Sequence, residues 1–390
     1  MKRDLTPYQY ASLHFLYWMT NLSIYSFSSA FLLPHGFSSS EVGIVMTLGS
    51  IGSLLLEPGL AEAADRGGKK ILTGMLKGMS GLFLLCLGGL VACGGSHAAL
   101  FVFYVLCYIL QTVMQPLINE MNYRLERGGH RMNFGAARAC GSLGYSLMGA
   151  VLGVLTERFG ISVIPLSTAV VLLAMFAVLT VLERTLLREE LSETQQKTES
   201  ALTLGEFAGK YRRLLFMTLG ATCLMFCSFA CGSYLLQIVM HVGGSTKQMG
   251  IALSAAAASE IPVMVLFERM KKRFGDRFLL RAAGVGYIVK QGILLMAGSF
   301  EAVLVSQLFQ MFSFALFLPA VVSYTHDNTE PQDAVKGQSL MPIASAAAGL
   351  IGSLTGGLMI DSLGVPAFLK ICFVMALLGT GIILVCTGKE

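Results

Sequence analysis

Apolar residues follow one another in long uninterrupted segments along nearly the whole chain, separated by short charged or glycine- and asparagine-rich breaks. A helix needs roughly 20 residues to cross the hydrocarbon core of a bilayer, and these segments reach that length. They are continuously apolar and about twice as long as the alternating strands of a membrane barrel, which favours helices. The predicted fold class is an all-α membrane protein with twelve transmembrane helices, at residues 8–33, 40–62, 71–94, 97–123, 133–156, 161–183, 212–241, 247–268, 278–298, 300–324, 336–360 and 365–387.

Composition and charge agree with a membrane location. Of the 390 residues, 54% are hydrophobic and 13% are charged, whereas soluble domains carry roughly 25% charged residues. Lys and Arg collect in alternate loops, beginning with the segment before the first helix, so the positive-inside rule puts both termini in the cytoplasm. The net charge of +5 is dispersed over several loops, which argues against a nucleic-acid surface. We therefore predict a multi-pass protein of the bacterial cytoplasmic membrane, with the lipid bilayer and no nucleic acid as a partner.

The cysteines and the missing nucleotide and protease motifs argue against a cofactor. All nine cysteines fall inside predicted helices and none in an outer loop, so they are expected to be reduced. Cys223, Cys227 and Cys231 recur every four residues, a spacing compatible with a soft-metal site but better explained by packing of small side chains. The sequence contains neither a phosphate-binding loop nor a His-Glu-x-x-His motif. We predict no cofactor, no metal and no enzyme activity.

An internal repeat relates the two halves of the chain. The segments SSSEVGIVMTLG and ADRGGKK, around the second and third predicted helices, correspond to STKQMGIALSAA and KKRFGDR around the eighth and ninth. Gly43 aligns with Gly250, and Gly68 with Gly275, at one constant offset without a gap. Many transporters consist of two homologous halves. We predict a tandem duplication, with an N-terminal six-helix bundle at residues 1–183, a cytoplasmic linker at 184–208 and a C-terminal six-helix bundle at 209–390.

A permanent charge, Arg138, interrupts the apolar segment NFGAARACGSLGYSLMGAVLG. A charged group at bilayer depth costs at least about 2.5 to 3.5 kcal/mol, so it usually faces the bundle interior and has a partner. Glu120 in the preceding span lies at comparable depth, and we expect the two side chains to pair. Gly141 and Gly144 would leave space beside the pair, and the Tyr145 ring offers an apolar surface to a sugar or aromatic group. A purely structural ion pair is the alternative.

Polar residues also lie in the middle of three spans of the second half. Glu260 is central in the eighth predicted helix, Lys290 is central in the ninth, and Gln307, Gln310 and Ser313 lie in the tenth. A nearby cation favours an ionised carboxyl and burial opposes it. The protonation of Glu260 could therefore change as Lys290 approaches or recedes, which is the minimum required for proton coupling.

The first predicted helix carries His14, Trp18, Asn21 and Tyr25 at spacings that place them on one face. Trp and Asn together suit a sugar or aromatic substrate, although such a stripe is often only packing. His14 is as compatible with a structural role as with a proton relay. Asn119 continues the polar face of the fourth predicted helix.

The loop ADRGGKK resembles the signature Gly-x-x-x-Asp-Arg-x-Gly-Arg-Lys of the major facilitator superfamily. Asp65, Arg66, Gly68, Lys69 and Lys70 match, and Ala61 stands where the first Gly is usual. The resemblance implies two six-helix bundles that work by alternating access. It also implies a latch at the cytoplasmic gate, although Lys69 and Lys70 also serve positive-inside anchoring.

Within the superfamily, the chain is similar to the lactose-permease and phenylpropionate-permease branch. NFGAARACGSLGY resembles the lactose-permease segment whose Arg binds sugar hydroxyls together with a Glu eighteen residues earlier, here Arg138 and Glu120. The Lys, His and Glu of that family's tenth helix fall on Gln307, Gln310 and Ser313, so its proton-carrying Glu is missing. Either Glu260 replaces it, or coupling runs through Glu120, or the protein is a facilitator, in that order of preference.

The sequence thus predicts a monomeric secondary transporter, with proton symport preferred, for a small hydroxylated or anionic solute such as an oligosaccharide, nucleoside or aromatic acid. A proton-coupled exporter, a facilitator and a non-transporting sensor are the alternatives. The predicted substrate-binding residues are Glu120, Arg138, Tyr145, Trp18, Asn21, Asn119 and Gln310; the predicted proton-coupling residues are Glu260, Lys290 and His14; the predicted gate residues are Asp65, Arg66, Lys69 and Lys70.

Overall fold

The computed structural model describes residues 4–93, 95–186 and 204–388, without the side chains of 65–70, 186, 204, 331 and 335. No strand occurs in these ranges, so the all-α prediction is confirmed for them. The helices are α1 (Thr6–Asn21), α2 (Ser28–Leu32), α3 (Ser39–Ala92), α4 (His97–Arg127), α5 (Phe134–Phe159), α6 (Val163–Leu186), α7 (Leu204–Lys210), α8 (Arg212–Ser233), α9 (Leu235–His241), α10 (Thr246–Phe274), α11 (Asp276–Leu295), α12 (Phe300–Leu308), α13 (Phe314–Asp327) and α14 (Ala334–Cys386).

The twelve predicted membrane segments can each be found in these helices. Ten described segments are individually long and apolar enough to cross a bilayer. One of them lies in α14, which has 53 residues and contains two predicted spans, divided at Gly364 with φ 79° and ψ 168°. The first predicted span is missing from the ten because it is interrupted, α1 and α2 being joined by a π-helical turn at Leu22–Ser26. The predicted transmembrane architecture is therefore confirmed.

Internal contacts divide the chain into two compact units. The first comprises the described residues of Met1–Thr194 together with Ser245–Ser254, and the second comprises those of Gln195–Gly244 and Ala255–Glu390. In the first unit α1 packs on α5 and α3 packs on α4; in the second, α14 packs on α8 and α11. The predicted linker at 184–208 lies mostly outside the described residues, and the predicted domain boundaries stay a prediction.

The backbone repeats the same irregular features in both units. The first membrane segment breaks at Phe27, with φ −95° and ψ 8°, and the segment formed by α8 and α9 breaks at Tyr234, with φ −111° and ψ 23°. Gly36 and Gly243, nine residues further on in each case, both have left-handed φ angles, of 89° and 80°. The separation of 207 residues equals that between Gly43 and Gly250. The duplication inferred from sequence therefore extends to the backbone conformation.

Tyrosine hydroxyls fasten α1 and its π-helical extension to α4. Tyr10 donates to the carbonyl of Ile118 at 3.1 Å, and Tyr17 donates to that of Gln111 at 3.0 Å. In the opposite direction Tyr104 donates to the Ile24 carbonyl at 3.0 Å, inside the π-helical turn. A π turn breaks the regular α-helical pattern of backbone bonds, and such turns recur at functional sites. Tyr104 thus supports the irregular turn from α4.

Candidate functional site

The π-helical turn divides the polar face predicted for the first membrane helix. Tyr25, inside the turn, lies beside Tyr108 of α4 with ring centroids 6.1 Å apart. Trp18, before the turn, instead lies beside Tyr145 of α5 at 6.5 Å. The extra residue of a π turn rotates the later residues of the helix relative to a regular α-helix. The single stripe expected from four-residue spacing therefore becomes two sites, and Trp18 belongs to the one on α5.

Arg138 of α5 lies on the indole face of Trp18. Its guanidinium carbon is 3.8 Å from the ring centroid, which is a close cation–π contact. Its Nη1 donates to the Ser142 hydroxyl one turn further along α5, at 3.3 Å. Both Arg138 and Trp18 are half-buried. The structure thus places the intramembrane cation on an aromatic ring of α1.

Contrary to the prediction from sequence, Gly141 and Gly144 do not leave space for a ligand but have a packing role. A methyl group at Gly141 would lie 2.4 Å from Cδ1 of Trp18, and one at Gly144 would lie 2.2 Å from the Phe15 carbonyl oxygen. The space beside these glycines is therefore filled by α1 and is not free for a ligand. The glycines matter because they let α1 and α5 approach closely enough for Trp18 to meet Arg138.

Glu120 is hydrogen-bonded to Arg124 rather than to Arg138, contrary to the predicted pairing. Oε1 of Glu120 accepts from Nε of Arg124 at 3.0 Å. Nη2 of Arg124 also donates to the carbonyl of Ala64 in α3, at 2.9 Å. The spacing of four residues places Glu120 and Arg124 on one face of α4, which favours this local pair over a partner on another helix. Glu120 thus helps to fasten α4 to α3.

The Glu120 carboxylate also opens onto a cavity of about 400 Å³ between α3 and α4. Its wall contains a second acid, Glu57, together with Pro58 of α3 and Pro116 of α4. The remaining wall residues are Leu60, Ala61, Ala64, Val113 and Leu117. Glu120 is therefore accessible within the first unit, but through a cavity in which Arg138 and Trp18 take no part.

The remaining predicted binding residues of the first unit have mixed surroundings. The Tyr145 hydroxyl lies 2.5 Å from that of Ser26, at the end of the π-helical turn. Asn21 and Asn119 are half-buried, and Asn21 immediately precedes the π turn. Tyr145 and Asn21 therefore belong to the region around Trp18. Asn119 neighbours Glu120 on α4 and not that region.

His14 is buried, and its Nε2 lies 2.9 Å from the Tyr10 hydroxyl oxygen. The Tyr10 hydroxyl already donates its hydrogen to the Ile118 carbonyl. Nε2 of His14 must then carry the hydrogen and donate it, which in the neutral ring leaves Nδ1 as an acceptor. His14 is therefore held by a structural partner on one side and presents an acceptor on the other.

Three buried polar atoms of this region lack a hydrogen-bond partner within the described residues. They are the donor Trp18 Nε1 and the acceptors His14 Nδ1 and Gln111 Oε1. Gln111 uses its amide nitrogen on the Tyr17 carbonyl, next to Trp18, at 3.4 Å. Buried polar groups are almost always satisfied in folded proteins. One donor and two acceptors of the residues around Trp18 and Tyr17 are thus left unsatisfied within the described part of the chain.

In the second unit an amide bridges the predicted cation and carboxylate. Nε2 of Gln310 donates to Oε1 of Glu260 at 3.0 Å, and Oε1 of Gln310 accepts from the Lys290 ammonium. Glu260 is 9% exposed and Lys290 4% exposed. The predicted network therefore exists, but its order is Lys290, Gln310, Glu260, with glutamine in the middle.

Gln310 owes its position to a break in its helix. A short 3₁₀ segment, Phe309–Met311, separates α12 from α13, and Ser313 has non-helical φ −104° and ψ −96°. Gly286 of α11 packs against this break, because a methyl group there would lie 2.2 Å from the Phe312 carbonyl oxygen. Gln307 and Ser313 bond within their own segment and do not join the bridge.

The cysteine face of α8 takes part in helix packing. Cys227 donates to the Cys372 carbonyl of α14 at 3.1 Å, and Cys231 donates to Oε1 of Gln291 at 3.5 Å. All nine cysteines are free thiols. Within the described residues no group of His, Cys, Asp and Glu side chains is suited to a metal ion.

The side chains of the predicted gate residues Asp65, Arg66, Lys69 and Lys70 lie outside the described ones, so their role stays a prediction. Sequence reasoning missed Arg124, Ser142 and Ser26 as partners of site residues. For Arg124 and Ser142 a signal was present, since each lies four residues after the charge it contacts. For Ser26 there was none, because its approach to Tyr145 depends on the π-helical turn.

Comparisons with known proteins identify relatives of the whole chain. A model of the MFS_1 like family matches residues 8–370. The maltose permease of Geobacillus stearothermophilus is 32% identical over 251 residues, which cover 63% of this chain and 60% of that protein. The match thus spans less than two thirds of the permease. An uncharacterized transporter of Bacillus subtilis (strain 168), YwbF, is 22% identical over 90% of this chain and 86% of its own length.

Solved structures with the same fold include two further transporters. The nucleoside transporter NupG, in a mutant form, matches with a TM-score of 0.77 and 16% identity over 98% of this chain and 100% of its own. A bacterial homologue of the iron transporter ferroportin, in an inward-facing state, matches with a TM-score of 0.73 and 15% identity over 99% of this chain and 100% of its own. At such identities the structural likeness concerns the fold. Each of the four relatives is named as a transporter or permease, or as the homologue of one.

Proposed function

Because the chain belongs to the MFS_1 like family of the major facilitator superfamily, we propose that it is a secondary transporter of a small hydroxylated solute, a sugar or a nucleoside, and works by alternating access. The observation that carries the proposal is Arg138 stacked on Trp18 beside buried polar atoms without partners. Maltose and nucleosides, named for two of the relatives, both carry several hydroxyl groups. The host membrane is the cytoplasmic membrane of a bacterium, with both termini inside and the protein acting as a monomer.

The chemistry of this region favours hydroxyl groups over other substrate classes. A sugar hydroxyl donates one hydrogen and also accepts, so two hydroxyls could donate one each to the His14 and Gln111 acceptors, and either could accept from Trp18 Nε1. The Arg138 guanidinium presents further donors in a planar fork. Trp18 and Tyr145 supply aromatic surface for the apolar face of a sugar or for a base. An aromatic acid would use Arg138 and the rings but would leave the acceptors unsatisfied.

Trp18 is the single tryptophan of the chain, so intrinsic fluorescence tests this site directly. Purified protein is titrated with maltose, other disaccharides, nucleosides and aromatic acids while tryptophan emission is recorded. A sugar or nucleoside should shift or quench the emission saturably, and the same solute should exchange across proteoliposomes in counterflow. Trp18→Phe, which removes the tryptophan and its emission in any case, should weaken counterflow. The proposal fails if no hydroxylated solute changes the emission and none exchanges, or if only aromatic acids do.

We further propose that protons drive accumulation through Glu260. The amide of Gln310 bonds to both Glu260 and Lys290, so a change of charge on the carboxylate is transmitted to the ammonium through a single side chain. This gives the second unit a titratable carboxylate linked to a cation through one amide, an arrangement suited to proton coupling. His14 is the corresponding candidate in the first unit.

A Glu260 variant should separate solute exchange from solute accumulation. Glu260→Gln should retain solute counterflow but lose accumulation driven by an imposed pH gradient. Glu268→Gln, an exposed carboxylate on the same helix α10, is the matched control and should retain both. If wild-type accumulation ignores the pH gradient, the protein is a facilitator or uses another ion, and Glu260 does not couple protons.

A further inference from the structure

At one end of the second unit a cavity of about 600 Å³ lies away from the Glu260 bridge. Its volume is within the range of small-molecule sites, which is roughly 300–1,000 Å³. The wall contains three cationic side chains and two tyrosines, and is formed by Lys210, Tyr211, Arg213, Leu214, Arg277, Tyr324 and Asn328. Among the described residues no carboxylate lines this cavity. Its wall therefore has a net positive charge.

Two of the three cations, Lys210 and Arg213, are held in place by groups behind the wall. Lys210 lies 2.7 Å from Glu330 and 3.1 Å from Asp333, which is fully buried. These carboxylates raise the pKa of Lys210, so its ammonium stays charged. Nε of Arg213 donates to the Cys386 carbonyl at 2.6 Å, and Nη2 donates to that of Gly388 at 2.7 Å. Arg213 thereby joins the cavity to the C-terminal end of α14.

The third cation, Arg277, is different because it has no hydrogen-bond or ion-pair partner in the part of the chain that is described. It is exposed and lies in the first turn of α11, directly after the helix begins at Asp276. Helix α8 also begins at this cavity, and neither Tyr211 nor Gly275 caps its helix with a side chain. The positive end of the α8 dipole therefore adds to the charge of the wall, whereas at α11 the Asp276 carboxylate occupies the first turn.

From this arrangement we propose that the cavity binds the phosphoryl group of an anionic ligand. A phosphate oxygen pair matches the planar fork of an Arg guanidinium, and helix starts are ready-made phosphate sites. Leu214 and the two tyrosine rings would pack on the organic part of the ligand. Basic pockets between transmembrane helices near the membrane surface are known to take lipid head groups. The phosphoryl group comes either from such a lipid or from a soluble phosphate compound.

Two measurements on the purified full chain distinguish these sources. Native mass spectrometry after exchange into phosphatidylcholine vesicles, with and without phosphatidylglycerol, reports retained anionic lipid. The thermal unfolding midpoint with increasing inorganic phosphate or glycerol phosphate, against chloride of equal ionic strength, reports a soluble ligand. Selective retention of phosphatidylglycerol identifies the lipid, and a saturable rise in midpoint identifies the soluble phosphate compound.

Arg277→Gln tests the site itself and should weaken whichever interaction is seen by roughly five-fold. Arg273→Gln is the matched control, since Arg273 is exposed, has the same charge, lies in the last turn of α10 and does not line the cavity. Because both arginines are exposed, both variants should fold with unchanged helix content. The proposal is overturned if neither probe binds the wild-type protein, or if the two variants lose binding equally.

Discussion

The guanidinium of Arg138 lies 3.8 Å from the centre of the Trp18 indole, while the carboxylate of Glu120 is bonded to Arg124. Desolvation strengthens a cation–π contact. The contact therefore helps a permanent charge to remain inside a membrane helix. It also makes the tryptophan emission sensitive to any ligand that reaches Arg138.

Replacing Arg138 by Lys should weaken solute binding although the charge is kept. The ammonium is a point charge without the planar fork that stacks on an indole and donates to two acceptors. Loss of the stacking contact alone predicts binding about 2- to 30-fold weaker. Binding is followed by tryptophan fluorescence and by counterflow. Arg158→Lys is the control, an exposed arginine at the other end of α5, and equal effects in both variants would contradict a specific role for Arg138.

Replacing Gly144 by Ala should destabilise the first unit. The added methyl group would lie 2.2 Å from the backbone carbonyl of Phe15, which cannot move aside as a side chain could. Forcing an extra methyl into a packed site costs about 1–3 kcal/mol, and α1 would be pushed away from α5. The thermal unfolding midpoint in detergent should fall, and the Trp18 emission should change.

Gly78→Ala provides the matched control for this glycine. Gly78 is helical within α3, and a methyl group there would meet nothing within 4 Å. Alanine is a better helix former than glycine by roughly 0.5–1 kcal/mol, so this variant should be neutral or slightly stabilised. A fall in midpoint for both variants would show a general intolerance of the bundle rather than a close contact at Gly144.

The sequence was sufficient to predict the helices, but it predicted the contacts of the charged residues only in part. Continuous apolar segments give the spans directly, because length and hydropathy decide whether a helix crosses a bilayer. The predicted partner of Arg138 was wrong, because the depth of a residue in the membrane does not tell on which side of its helix the side chain lies. The network of Lys290, Gln310 and Glu260 was anticipated, yet its order was not, since the break at Phe309–Met311 has no glycine or proline to reveal it. The π-helical turn at Leu22–Ser26 likewise contains no glycine or proline that would reveal it.

Replacing Gln310 by Leu should destabilise the second unit. The Lys290 ammonium is 4% exposed, and among the described residues its hydrogen bond goes to Gln310. Loss of that acceptor leaves a buried charged donor unpaired, which costs about 1–3 kcal/mol or more. The thermal midpoint should fall clearly in Gln310→Leu and less in Gln310→Asn, which keeps an amide with both an acceptor oxygen and donor hydrogens. Gln332→Leu, at an exposed position, is the control and should leave the midpoint unchanged. Equal midpoints in all three variants would show that the Gln310 bridge does not stabilise the second unit.

Asp4 gives the N-terminal segment a pH-dependent attachment. Its Oδ2 lies 2.7 Å from Nδ1 of His130, between α4 and α5, and its Oδ1 accepts from the Thr6 amide at 3.0 Å. The hydrogen bond to His130, and further bonds to Thr6, lower the pKa of the Asp4 carboxyl below its ordinary value of 3.8. A lowered folded-state pKa means that the attachment stabilises the fold fully above that ordinary value and is lost as the pH falls through the lower one.

Asp4→Asn should therefore lower the thermal midpoint slightly at neutral pH, and the difference from wild type should close as the pH falls below 3.8. The side chain is 45% exposed, so the solvent-screened contribution is at most about 1 kcal/mol. Unfolding curves at a series of pH values, with Glu62→Gln as an exposed carboxylate control, measure the difference. A gap between Asp4→Asn and wild type that stays constant down to acid pH would show that the carboxylate charge contributes nothing. The amide would then differ from the acid for another reason, such as the Thr6 contact.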